Sequence, residues 1–320
     1  NVQSLWGRMV EHSPGVVQAL RSFKFAPTSA ITEIPNLFFD RCAQLEEITL
    51  PDSLETIGRG AFASCTKLST VLLPARVREI NAYAFARCHF LRSVEFSNIN
   101  SVHTIGESAF MDCWHLGEGS VFNVPPNVRR IEKWTFSRCS RLGAVNFPPA
   151  LEFIGSSAFV DAGLKSIDLS GASPMPDAGP AGGGPGAFTI VANAFASCNS
   201  LRSVKLPPNL SSIPEDCFFM CTRLTAITIP DSVTVIHPCA FQNCINLRKI
   251  RIPQSVESIC NHAFRRCRAL RAVYFQGARR TKRDWENLLV RDPSRPAGVP
   301  FLMPNQFLEC HKLGVLIFDN

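Results

Sequence analysis

Cysteine and histidine are the side chains here best suited to chemistry, and the chain carries 13 of the first and 7 of the second. They crowd together in one stretch. Cys217 and Cys221, then His237, Cys239 and Cys244, then Cys260, His262 and Cys267 fall in three successive segments of similar length. Thiolate and imidazole together are a zinc-like ligand set, so convergence of these groups would make a metal centre. Two observations weigh against it. The short paired-cysteine spacing of a zinc finger is missing, and Cys217, Cys239 and Cys260 stand one, two and four residues before the next Phe, so they share no common position. The expectation is that no metal is bound.

The remaining cysteines follow a rule. Cys42, Cys65, Cys88, Cys113, Cys139, Cys198, Cys221, Cys244, Cys267 and Cys310 each sit three residues after a Phe, and Ala162 holds the same place once. A position that accepts Cys or Ala wants a small buried hydrophobe, a part free cysteine plays well. Successive thiols on strands about 4.8 Å apart could also be oxidised in pairs, and that alternative stays open. No nucleophile elbow, metalloprotease helix or dinucleotide glycine fingerprint is present, and Gly182-Gly183-Gly184 lacks the Lys-Ser or Lys-Thr of a phosphate loop. His89, His103, His115, His237, His262 and His311 occupy different repeat positions and read as solvent-facing or edge residues. An enzyme, a cofactor and a small-molecule substrate are therefore not expected.

Charge is more informative. From 245 to 295 there are 13 Lys and Arg against 4 acids, a local charge of +9 within a chain total of +7. Candidate binding residues lie one, two and four positions after a recurring Leu. Early in the chain these places hold Glu46 and Glu47, then Arg92; later come Arg202 and Lys205, then Arg248, Lys249 and Arg251, then Arg271 and Tyr274. Such a surface would suit an acidic region of a protein partner, an anionic polymer or a charged membrane surface. It could equally serve solubility alone. Tyr274 is the one aromatic on the basic strand positions, so nucleic acid is an unlikely partner: base stacking is poorly provided for.

These positions are set by a repeat. The Phe column runs 39, 62, 85, 110, 136, 159, 195, 218, 241, 264 and 307, and six of its intervals are 23 residues. The others exceed that period by 2, 3, 13 and 20 residues, which belong in loops that leave the stack. Within one unit, Leu68, Val71 and Leu73 face inward while Thr70 and Leu72 face out, as a short strand requires. Pro74 ends that strand, Val77 and Ile80 make a second extended step, and Ala84, Phe85 and Cys88 form a turn or brief helix. No unit can bury its own edges, so each needs neighbours.

The run Leu-x-x-Ile-x-Ile-Pro-x-Ser-Val-x-x-Ile at 224–236 and again at 247–259, each followed by Ala-Phe-x-x-Cys, resembles the BspA-like leucine-rich repeats. Val273-Tyr274-Phe275-Gln276-Gly277 with Trp285-Glu286-Asn287 is similar to the segment that often closes such arrays. The resemblance implies an α/β repeat: a right-handed solenoid of about 11 turns, parallel sheet on one face, short strands, turns and short helices on the other. It also implies recognition of a protein partner, in adhesion at a cell surface or as a secreted protein. The odd, periodic free cysteines point instead to the cytoplasm, and no signal peptide or apolar run long enough to span a membrane is read from the sequence. Residues 1–37 are expected to cap the solenoid of 38–320, with loop insertions at 170–186 and 278–297; the second of these places Trp285, Leu288 and Leu289 at helical spacing.

Overall fold

The structure, a computed structural model, describes residues 19–26, 28–172, 188–276 and 305–318. Most of the N-terminal segment, nearly all of the first insertion and the whole of the second lie outside these residues. The chain divides into two compact units, Asn1–Gly163 and Leu164–Asn320. Together they hold a parallel-strand β-solenoid of about 10 turns, close to the 11 that the Phe column suggests.

Each turn has three sides. The first is a strand of three or four residues. In the first unit Ser22–Lys24 pairs with Glu47–Thr49, Thr70–Leu73 with Ser93–Phe96, and Val121–Asn123 with Ala144–Asn146, all parallel. In the second, Ser166–Asp168 pairs with Ser203–Lys205, and Lys249–Ile252, Ala272–Phe275 and Val315–Phe318 form one sheet. Alternation decides what they bury: in Thr70–Leu73, Val71 and Leu73 are inside while Thr70 and Leu72 face out.

The second side is a two-residue strand. Glu33–Ile34, Thr56–Ile57, Glu79–Ile80 and Thr104–Ile105 make one four-stranded sheet, each sending its Ile into the core. Ser212–Ile213, Val235–Ile236 and Ser258–Ile259 repeat the arrangement in the second unit.

The third side carries the Phe and the Cys, and it is built from turns. Helical structure among the described strand-return segments is limited to the 3-10 turns Ile99–Ser101 and Asn305–Phe307, so the expected short helices give way to something tighter. Gly60, Phe62 and Ser64 donate their N–H groups to the carbonyls of Ala82, Ala84 and Ala86 in the next turn, at 2.9, 2.8 and 2.7 Å. The same three-bond ladder joins Tyr83, Phe85 and Arg87 to Glu107, Ala109 and Met111. To aim alternate N–H groups this way, the residues two before and two after the Phe take left-handed φ in the turns from Phe39 to Phe264, as at Gly60 (60°), Ser64 (60°), Tyr83 (59°) and Arg87 (60°). Left-handed backbone is costly for residues other than Gly, and the ladder offsets that cost.

Inside this side the Phe rings stack. Centroids lie 5.1 Å apart for Phe39–Phe62, 5.2 Å for Phe62–Phe85 and 5.6 Å for Phe85–Phe110 and Phe110–Phe136. In the second unit Phe264 and Phe307 stack at 5.2 Å although 43 residues separate them. The stack is therefore continuous from Phe264 to Phe307.

Candidate binding surface

The strand side presents its outward residues in a row. Lys249–Ile252 buries Ile250 and Ile252 and exposes Lys249 and Arg251, with Arg248 exposed just before it. Register places Arg251 between Thr228 and Tyr274, and Lys249 beside Ala272. Arg271 is exposed and Tyr274 half-buried. Arg248, Lys249, Arg251, Arg271 and Tyr274 thus come together on one surface of the second unit. Among the described residues, none of these four cations has a carboxylate within ion-pair distance.

Other basic residues are already matched. Arg265 and Arg266, on the side that carries the Phe turns, close on the Glu309 carboxylate at 3.0 and 2.8 Å. Lys205 Nζ lies 2.8 Å from Asp168 Oδ2, across the ladder that pairs Asp168 with Lys205. Hydrogen bonds from Lys205 and Ser170 hold the Asp168 carboxyl down at about 2. Arg202, three residues before Lys205, is exposed. Asp168 stands four residues after Leu164 as Lys205 does after Leu201, but their pairing is not legible in the sequence, because 37 residues and the first insertion separate them.

In the first unit Glu46 and Glu47 are exposed, Glu46 with Lys67 at 3.9 Å and Glu47 beside Ser22 in the ladder. Arg92 is exposed at the mouth of a cleft of about 430 Å³ between Ser93–Phe96 and Val121–Asn123. Nothing in the Leu-relative positions points to this cleft. Its signal is the 26-residue interval between Phe110 and Phe136, which reads as a mere loop until the strands around it are seen.

The cysteines face the main chain. Cys65, Cys88, Cys113, Cys139, Cys221, Cys244, Cys267 and Cys310 each send Sγ to the carbonyl of a Phe in the preceding turn, at 3.0–3.2 Å. All 13 are free thiols, and only Cys239 and Cys260 are partly accessible. Burial pushes the thiols of Cys65, Cys88, Cys113 and Cys221 up, and those of Cys42 and Cys244 to about 12, whereas a hydrogen bond with Cys267 draws that of Cys310 down. Among the described residues no three His, Cys, Asp or Glu side chains meet as a metal would require. His103 and His311 are exposed as expected, but His89 and His115 are half-buried. His89 stacks on Trp114 at 3.9 Å and His115 on Phe90 at 5.2 Å, and burial lowers the His89 pKa.

Comparison with protein families matches the BspA type leucine rich repeat region in six copies, over residues 18–121, 118–174 and 188–284. Among solved structures, a leucine-rich repeat protein from Bacteroides ovatus is 22% identical over 79% of this chain and 86% of its own, with a TM-score of 0.30. A leucine rich cell surface protein from Faecalibacterium prausnitzii is 22% identical over 84% of this chain and 82% of its own, TM-score 0.40. The pneumococcal vaccine antigen PcpA is 17% identical over 80% and 62%, TM-score 0.47. Likenesses of this degree say nothing about what this chain binds. Comparison with curated proteins finds no match.

Proposed function

The chain belongs to the BspA-type leucine-rich repeat family, and from its exposed strand row we propose that it is a non-enzymatic recognition module that docks an acidic region of a protein partner. One observation carries this reading: Arg248, Lys249, Arg251 and Arg271 stand together on a rigid sheet without carboxylates of their own among the described residues, whereas Lys205, Arg265 and Arg266 are matched. Unpaired cations held in register attract an acidic segment and fix its direction. Because the ladder is already formed, little conformational entropy is lost on docking. Tyr274 beside Arg251 adds an aromatic surface at the centre of the patch, of the kind interfaces favour.

Adhesion at a cell surface belongs to the same proposal. The free cysteines are compatible with that location, since thiols buried against carbonyls, such as that of Cys88, are shielded from oxidation. A second reading, binding of an anionic polymer or membrane surface, rests on the same cations. Retention on immobilised polyglutamate and on heparin separates the two. The proposal expects polyglutamate to hold the chain at moderate salt and the R248E/K249E/R251E variant to pass through. Retention on heparin alone would move the assignment to an anionic polymer.

A further inference from the structure

The outward ladder of the first unit is interrupted between Glu47–Thr49 and Thr70–Leu73 and again, where a cleft opens, between Ser93–Phe96 and Val121–Asn123. Ser93–Phe96 pairs with Thr70–Leu73 and, among the described residues, with no other strand; Val121–Asn123 pairs with Ala144–Asn146 alone. A strand paired on one side turns alternate N–H and C=O groups toward the other, so both strands aim main-chain donors and acceptors into the cleft between them.

Two insertions open this gap. The three extra residues of the Phe110–Phe136 interval fall after Leu116, where Gly117 (φ 72°) and Gly119 (φ 75°) fold a loop that carries the following strand away. Gly117 is needed there, since its N–H closes the top of the cleft on the Arg92 carbonyl at 2.9 Å and a Cβ would lie 2.8 Å from Leu142 Cδ1. Glu118 fixes the loop: its carboxylate meets His115 Nδ1 at 2.8 Å and pairs with Arg141. The two extra residues of the preceding interval form the 3-10 turn Ile99–Ser101, and Ile99 lines the other end. The gap is thus a built feature. Val94 and Phe122 form its apolar floor, with Arg92 exposed at the start of one wall and Glu95 exposed three residues on.

We propose that this cleft accepts an extended segment of a partner protein as an added parallel strand, hydrogen-bonded on both sides. This rests on the reading that the strand side binds protein. The walls state the occupant's chemistry. Three to four residues of extended chain match the two strands in length, a small apolar side chain meets Val94 and Phe122, and an acidic residue stands three positions ahead of a basic one to face Arg92 and then Glu95.

A displayed library of random short peptides, panned against the whole chain, tests this. The enriched peptides should carry the acid-before-base order. N-methylation of amides at alternate positions should weaken them roughly tenfold or more, while methylation of the intervening ones does so less, because each lost edge hydrogen bond is worth about that factor. The R92E/E95R variant, changed only at exposed side chains, should select the reversed order. Deletion of residues 118–120, which restores the 23-residue spacing, should abolish binding. Enriched peptides indifferent to N-methylation or to R92E/E95R would overturn the proposal. So would a dimer of the chain that the 118–120 deletion dissolves, which would make a second copy the occupant, or peptide binding that appears only once residues 1–18 are removed. The R248E/K249E/R251E variant keeps the cleft. Loss of polyglutamate retention with peptide binding intact, or the converse, therefore tells the failure of one assignment from the failure of the other.

Discussion

The thiol of Cys88 donates to the main-chain carbonyl of Phe62, one turn earlier, at 3.1 Å, and the same carbonyl accepts the N–H of Cys65 at 3.2 Å. A buried carbonyl thereby fills both its lone pairs, which explains why the repeat prefers Cys to Ala at a site where either would fit. Cys88→Ala should lower stability by about 1–2 kcal/mol, the loss of a weak bond plus a small void. Ala162→Cys, which offers the missing donor to the Phe136 carbonyl, should raise it by about 0.5–1 kcal/mol. Chemical denaturation of the two variants beside the parent checks both signs.

The column should also be chemically silent. Where the column thiols are buried and raised, those of Cys42 and Cys244 to about 12, almost no thiolate exists at neutral pH. Mass spectrometry after brief alkylation of the native chain should find label at Cys239 and Cys260 and not at Cys65, Cys88, Cys113, Cys139, Cys221, Cys244 or Cys267, which are bonded to Phe carbonyls and raised. In denaturant all 13 should react.

Asp168 and Lys205 give a pH signature. The Asp168 pKa is depressed to about 2 from an ordinary 3.8, so between those values the unfolded chain binds a proton that the folded chain does not. The pair's contribution is present in full above pH 4 or so and is lost as pH falls through about 2. Both side chains are exposed, which limits the effect to below about 1 kcal/mol. Carboxyl NMR titration should find Asp168 near 2, and Lys205→Ala should return it toward 3.8.

Much of this architecture is legible in the sequence because each turn repeats one burial problem. Leu68, Val71, Leu73, Val77, Ile80, Phe85 and Cys88 sit in the core as their spacing requires. Two things were not legible. The Phe-bearing side reads as a turn or brief helix, since Ala, Phe and Cys at close spacing suit both; the left-handed φ at residues as unlike as Ser64, Tyr83 and Arg87 is imposed by the ladder to the next turn and leaves no mark on residue type. Of the candidate binding residues, exposure followed from alternation, but pairing did not. Whether Lys205 or Lys249 keeps its charge free depends on which residue stands one turn away, Asp168 in one case and Ala272 in the other. The cleft beside Arg92 escaped for a similar reason, as an insertion length does not say which strands it parts.

The most direct measurement is the affinity of a labelled polyglutamate peptide, at fixed low salt, for the parent chain, for R248E/K249E/R251E and for R76E/R78E, which reverses exposed arginines of the first unit. A docking row at Arg248, Lys249 and Arg251 predicts that the triple variant loses about tenfold or more while the control changes little, since only the row holds its cations in register against the ligand. Comparable losses per charge reversed in the two variants would mean that the peptide answers to net charge alone and would contradict the assignment of this face as the recognition surface.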